Sequence, residues 1–483
     1  MSSLQFSTPE AEGVSSAALL HFLNKLDAME YLHGLTIFRH GKIILQGSWA
    51  PYDATTPHQL FSLSKSFVSC AIGFAIQEGL LKLTDTLGEL FPEYANDEKV
   101  SAEAKAMTVR NLLTMRSGQQ NCHLGEFLFH EADKPFVQRF LEVPMFTKPG
   151  EAFVYNSGNT FMLSAIIQKL TGQKLVEYLQ PRLFAPLGIN APKWDESPDG
   201  VCLGGWGLFL SLDDVTRFTK LLNDGGKWEG KQILPADYLQ EATAFQSDNS
   251  CNTNRDWENG YGYQFWRCSH DGAYRGDGAC GQYALIVPDY DMAFTTQSGL
   301  PEMGRILVAV WDELLPRIQG DAPIAPVPAE QQALAEKVAS LEMPRPKGVY
   351  YTSRRSCKYK LAENVCHFET LECQFQSAGG KFILTRKGKT LEVPFGYGKW
   401  ARGNAPEFFG DHGTIGGELA AIGAWEDENT LLVNMALLNE PTFAKLRLEF
   451  QGNSIAIHRE FNLWFLLGPD DLKNTLTGSV VSP

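Results

Sequence analysis

After Ser15 the apolar residues Leu19, Leu20, Leu23 and Leu26 recur at helical spacing, which predicts an amphipathic helix over residues 15–27. The next apolar runs, Leu35–Phe38 and Ile43–Gly47, are too short for helices. They flank the turn Arg39-His40-Gly41-Lys42 and read as a hairpin. A longer helix begins near Ser62 and stops at Gly79, a residue suited to a helix C-terminus. Another runs from about Thr160 to Thr171 before Gly172, and a third, Leu212–Leu222, ends in Asp224-Gly225-Gly226. Strand character returns over 282–298, where Tyr283-Ala284-Leu285-Ile286-Val287 precedes Pro288. Strands at both ends with helices between them predict an α+β arrangement.

The pattern changes after residue 318. Three prolines within 319–329 mark a linker, and a short helix is expected from Glu330 to Leu341. Beyond Pro346, short β-rich runs alternate with glycine turns: Phe382–Arg386, Leu391–Phe395, Leu431–Leu437, Leu446–Phe450 and Ser454–His458. The expected organisation is therefore a first domain over 1–318, a linker with a short helix over 319–345, and a C-terminal antiparallel β-domain, sandwich or barrel, over 346–483. No repeat of fixed period is visible.

Composition narrows the function. With 44% hydrophobic and 20% charged residues in 483, the chain is globular and long enough for two cores. A formal net charge of −14 repels phosphate backbones, so no nucleic-acid partner is expected. No apolar stretch is long enough to span a bilayer, and no membrane association is expected. The N-terminus has neither a basic nor an apolar leader region, and the nine cysteines show no paired framework; both point to a cytoplasmic protein with reduced thiols. C-x-x-C and H-E-x-x-H are absent, so neither a metal nor a cofactor is expected.

Candidate chemistry begins at Phe61-Ser62-Leu63-Ser64-Lys65-Ser66-Phe67, which places S-x-x-K at a helix start. Residues three apart share a helix face, so the Lys65 amine can reach the Ser62 hydroxyl. A serine hydroxyl needs a base, and a lysine serves only if burial or a nearby cation lowers its pKa. The pair therefore demands a desolvated pocket, and Phe67, Val68, Ile72 and Phe74 would bury the helix that carries it. On its own the tetrapeptide fits an N-capping serine and a solvated lysine better than it fits a catalytic pair.

The wider context resembles a known superfamily. Ser62-Leu63-Ser64-Lys65-Ser66-Phe67 with Glu78–Asp85, then Val109–Gly118, Tyr155-Asn156-Ser157-Gly158-Asn159, and Gly204–Leu208 with Asp213-Asp214 resemble, in order, segments of the class C β-lactamase-like serine hydrolases. The resemblance covers about residues 10–315. It implies a β-lactamase/transpeptidase-like fold, an antiparallel sheet flanked by helices plus an all-helical region. It also implies an acyl-enzyme mechanism on a small-molecule ester or amide. Ser62 would be the nucleophile, Lys65 its activator, and Tyr155 the shared acid–base group, its phenol pKa lowered by Lys65. Ser157 stands where many relatives have Asn, which removes a substrate-amide contact that Asn156 or Asn159 would have to supply.

The third motif departs further. Relatives have K-T-G or H-x-G on the strand lining the cleft; here Tyr274-Arg275-Gly276 takes that place, with His270-Asp271-Gly272 as a competing register. The G-x-x-G-Q ending at Gln282 is similar to the 6-aminohexanoate-dimer hydrolase branch. By resemblance the oxyanion hole would use the backbone N–H groups of Ser62 and Asp277. Arg275, beside Gly276, is a candidate for binding a substrate carboxylate. Gly276–Gly281 also spells G-x-G-x-x-G, but a strand follows it instead of a helix, which excludes a dinucleotide fingerprint. No G-x-S-x-G is present. Loss of the K-T-G lysine ranks a carboxylesterase or small-amide hydrolase above the alternatives, a β-lactamase or D-alanyl-D-alanine peptidase. A non-catalytic penicillin-binding-like scaffold is the contrasting class. In the C-terminal part Asp411, His412, Trp400, Phe408, Phe409 and Trp425 are candidates for a pocket.

Overall fold

The computed structural model describes residues 4–125, 134–190, 192–350, 355–405, 417–463 and 475–481. The first helix, Ser16–Asp27, is capped by the Ser15 hydroxyl on the Ala18 N–H, and its leucine stripe faces the core. The predicted hairpin forms from β1 (Leu32–Arg39) and β2 (Lys42–Ser48). Far along the chain come β3 (Trp266–Arg267), β4 (Tyr274–Gly278), β5 (Gln282–Val287) and β6 (Met292–Ser298). All six make one antiparallel sheet, in the order β2-β1-β6-β5-β4-β3. Arg39 through Leu32 pair with Met292 through Ser298, so the chain's early hairpin is completed by strands more than 250 residues later.

One face of this sheet carries the first helix and the segment Gly304–Arg317. The other carries the helices Ser64–Gln77, Ser157–Thr171 and Leu212–Asn223. Phe67, Val68, Ile72 and Phe74 are buried, as the motif requires. Burial of side chains this size contributes roughly 1.5–3 kcal/mol each, which fixes the helix in the centre of the molecule. The helix ends where expected: Gly79 adopts φ +73°, and the Leu80 N–H closes on the Ala75 carbonyl.

The helix expected at Glu330 spans Pro328–Ala339. Beyond it the ten strands β7 (Cys357–Leu361), β8 (Thr370–Gln376), β9 (Gly379–Arg386), β10 (Lys389–Tyr397), β11 (Ala401–Ala405), β12 (Gly417–Asp427), β13 (Thr430–Leu437), β14 (Phe443–Gln451), β15 (Ser454–Phe461) and β16 (Leu476–Val480) form a second sheet. It runs β10-β9-β8-β7-β16-β15-β14-β13-β12-β11, and a parallel pairing of Gly396-Tyr397 with Ile422-Gly423 closes it into a barrel. Phe382, Phe395, Val433, Leu448 and Ile457 fill its interior.

The barrel touches the strand that leads to Ser62. In the short strand His58–Gln59, the Gln59 N–H donates to the Asn439 carbonyl (2.9 Å), and the Asn439 side-chain amide donates to the Pro57 carbonyl (2.7 Å). Of the aromatic residues considered for a C-terminal pocket, Trp425 is core, its indole N–H bonded to Tyr397, and Trp400 is tied to Glu342. Phe408, Phe409, Asp411 and His412 lie outside the described residues. Among the described residues no helix is long and apolar enough to cross a membrane, and no cluster of three or more His, Cys, Asp or Glu is arranged to hold a metal ion.

Candidate active site

Ser62 does not cap the helix Ser64–Gln77. It lies in a single 3-10 turn, Phe61–Leu63, just before it, and Phe61 is held at φ +47°. A left-handed phenylalanine is costly, and such positions persist only where surrounding structure imposes them. Here the imposing contacts are on both sides: the Leu60 N–H donates to the Leu208 carbonyl, and the Leu208 N–H to the Ser64 hydroxyl.

Lys65, one turn on, is 1% exposed. Its Nζ lies 2.9 Å from Ser62 Oγ, 3.0 Å from Ser157 Oγ and 2.7 Å from the Gly205 carbonyl. Burial pulls the amine down from 10.5 to about 7, against smaller upward pulls from Cys122 and Asp277. A neutral amine has two N–H donors and one lone pair. With Gly205 and Ser157 taking the donors, the lone pair is left for the Ser62 O–H. Gly205 has to be glycine, because a Cβ there would stand 2.7 Å from the Ser157 Cβ.

Tyr155 presents its ring to Lys65, whose Nζ is 4.8 Å from the ring centroid. The expected lowering of the phenol pKa is not what the structure gives. Burial raises it well above 10, and the hydrogen-bonding influence of Ser62 and Trp266 only partly opposes this. Lys65 is not among the groups that lower it, and the same burial weakens the charge of Lys65 itself. Ser157 occupies its motif position and bonds Lys65. Neither Asn compensates for the missing amide contact: Asn156 is consumed by Gln119, the Asn121 carbonyl and the Gly158 N–H, and Asn159 is fully buried against Met115.

Gly276 faces the start of the helix Ser64–Gln77 and the turn before it, where a Cβ would stand 2.4 Å from Leu63 Cδ1 and 2.8 Å from Ser66 Oγ; glycine lets β4 lie against them. Arg275 and Asp277, two residues apart on a strand, share the opposite face. There Arg275 Nε bonds Asp277 Oδ2 at 2.8 Å, and the guanidinium, 0% exposed, lies 4.6 Å from the Trp257 ring centroid. Burial raises the Asp277 carboxyl, and the guanidinium opposes it. The expectation that Arg275 offers itself to a substrate carboxylate does not fit this placement, because its charge is enclosed and already matched. His270, of the competing register, stacks on Trp311 at 5.3 Å.

Sequence reasoning missed an aromatic wall that continues from Tyr155. Trp266 lies 5.2 Å from Tyr155, 4.9 Å from Tyr261, 6.1 Å from Phe153 and 6.5 Å from Trp257, centroid to centroid. These residues belong to two segments, 153–155 and 257–266, and no local spacing signals their convergence. It also missed Gln264, whose side chain bonds Thr160 and the Leu112 and Leu113 carbonyls and whose own carbonyl accepts from Ser66.

Residues 31–304, more than half of the chain, match the family model described as Beta-lactamase. Penicillin-binding protein 4 of Amycolatopsis lactamdurans is 24% identical over 324 residues, covering 56% of this chain and 82% of that protein. Lovastatin esterase of Penicillium rubens is 27% identical over 169 residues, covering 31% of this chain and 42% of that protein. Among solved structures, a putative 6-aminohexanoate-dimer hydrolase from Bacillus anthracis superposes with a TM-score of 0.55 at 20% identity. That match covers 65% of this chain and 86% of that one.

Proposed function

The chain belongs to the beta-lactamase family, and on that premise we propose that it is a serine hydrolase that cleaves a small ester or amide through an acyl-enzyme on Ser62. The observation that carries this reading is Lys65: fully buried, 2.9 Å from Ser62 Oγ, and titrating at about 7. Such an amine is half deprotonated at neutral pH, where an exposed lysine would be almost wholly charged.

Lys65 takes the Ser62 proton as Oγ attacks the substrate carbonyl carbon. The oxyanion is received by the N–H groups of Ser62 and Asp277. Ladder geometry supports the second donor: the Gly281 N–H closes a turn on the Gly278 carbonyl at 3.2 Å, pairing Gly278 with Gln282. Antiparallel alternation then turns the Asp277 N–H to the other edge of β4, where β3 pairs only Tyr274 and Arg275. Each such donor is typically worth about 3 kcal/mol. Tyr155, a neutral phenol, protonates the leaving alkoxide or amine and recovers its proton from the Lys65 ammonium. Water then enters, gives its proton back through the same pair, and releases the acid and free Ser62. No cofactor takes part in these steps.

Relatives named as an esterase and a penicillin-binding protein bracket the reaction class. The enclosed Arg275 favours the ester or small-amide reading over a β-lactamase or D-alanyl peptidase, whose substrates carry a carboxylate. Cys70, Cys202, Cys268 and Cys280 are buried thiols, which supports a reducing, cytoplasmic setting. The test is a fluorophosphonate label together with p-nitrophenyl acetate hydrolysis. Wild type should be labelled and active, and Ser62→Ala should lose both, with kcat down by at least about 10³-fold. An unlabelled wild type would sink the proposal and leave a binding scaffold.

A further inference from the structure

Three observations at the cleft concern charge and shape together. The cationic residue of the glycine-rich strand, Arg275, is buried on the far face of β4 and neutralised by Asp277 at 2.8 Å. Lys65, facing Ser62, is satisfied by three oxygens and discharges near neutrality. The wall leading away from Tyr155 is aromatic, with Phe153 and Trp257 half-buried at its edges and Trp266 and Tyr261 buried behind them.

We infer that this cleft selects an uncharged acyl group with a flat or apolar body and discriminates against acyl groups that carry a carboxylate. The inference rests on the acyl-enzyme reading of Ser62 and names the substrate class of that site. A carboxylate drawn against the wall would leave water and meet indole and phenyl faces. The Arg275 guanidinium lies against the Trp257 ring, with its Nε paired to Asp277. Burying an anion without a partner is strongly unfavourable, whereas a phenyl or alkyl group loses nothing by leaving water and gains ring contacts. The whole-molecule charge of −14 acts in the same direction at longer range. Arg275 is thus a positioning residue: its guanidinium lies against the Trp257 ring, and Asp277 holds it there.

The test uses a matched pair, the p-nitrophenyl monoesters of butyric and succinic acid, which differ chiefly in a terminal carboxylate. Butyrate should exceed succinate in kcat/KM by at least about 10-fold, and the gap should survive about 0.5 M salt, because salt screens long-range repulsion but not burial. Succinate turned over as well as butyrate at high salt would overturn the inference while leaving the serine hydrolase standing. Failure of both esters, with no fluorophosphonate label on Ser62, would remove the hydrolase reading and this inference with it. A second measurement tests the wall itself: Trp257→Ala should lower the benzoate-to-acetate ratio of kcat/KM about 5-fold, and Trp257→Phe should restore most of it. An unchanged ratio in Trp257→Ala would refute the wall as the selecting element.

Discussion

Two buried titratable clusters lie on either side of the short segment His58–Lys65, and they differ in what their shifted protons can reach. In one, Lys65 faces the Ser62 hydroxyl, on a residue that is partly exposed. In the other, His33 Nδ1 and His58 Nε2 meet at 3.1 Å, His33 stacks on Tyr52 at 3.6 Å, and Glu440 lies buried nearby. Burial pushes His58 down to about 4 and Glu440 up to about 7. Both clusters show pKa shifts of the size found at active sites, but only the first sets its shifted group against a serine hydroxyl. A perturbed pKa marks burial; adjacency to a hydroxyl and an open cleft turns it into chemistry. The second cluster packs the barrel turn at Glu440 against the strand before Ser62, and its titration should appear in stability.

That contrast can be broken at either cluster. The largest effect is expected from Lys65→Met, which keeps the packed stem and removes the base; kcat/KM should fall about 10³-fold with the fold intact by circular dichroism. Tyr155→Phe, which removes only the phenol oxygen, should cost about 10²-fold. An acid limb near pH 7 in the wild-type rate profile would identify Lys65 as the titrating base, because the active form is the deprotonated one and rate must rise as pH climbs through about 7. The smallest effect belongs to the second cluster. Glu440 is raised in the fold, so its contribution is fully present below its unfolded value of 4.5 and is lost as pH rises through about 7. His58 is lowered, so its contribution is present above 6.5 and is lost as pH falls through about 4. Glu440→Gln should therefore raise the melting temperature by a few degrees (at most about 3 kcal/mol) at pH 8 and by less at pH 5. Equal shifts at the two pH values would show that Glu440 does not titrate in this window.

What the sequence made readable was local. Ser15, Gly79 and Gly172 end helices by rules that act within a few residues, and Ser62 with Lys65 is a one-turn relation. Tyr155 was readable through its motif, but its protonation was not, since that depends on Trp266 and on burial built from distant segments. Arg275 and Asp277 carried a readable signal, opposite charges two apart on a strand, which share a face and can pair. Barrel closure was not readable because it joins Tyr397 to Gly423 around an intervening strand. Neither was the meeting of His33 with His58, which the barrel turn completes from more than 370 residues away.

The contact of Asn439 with Pro57 and Gln59 has a mechanical consequence. The clamp lies three residues before Ser62, whose neighbour, Phe61, is held in a conformation the chain does not favour by itself. The barrel thus works as a splint on the bent segment that aims Ser62. Excising residues 1–318 as a minimal enzyme would carry the whole catalytic constellation and leave behind the brace that keeps it pointed.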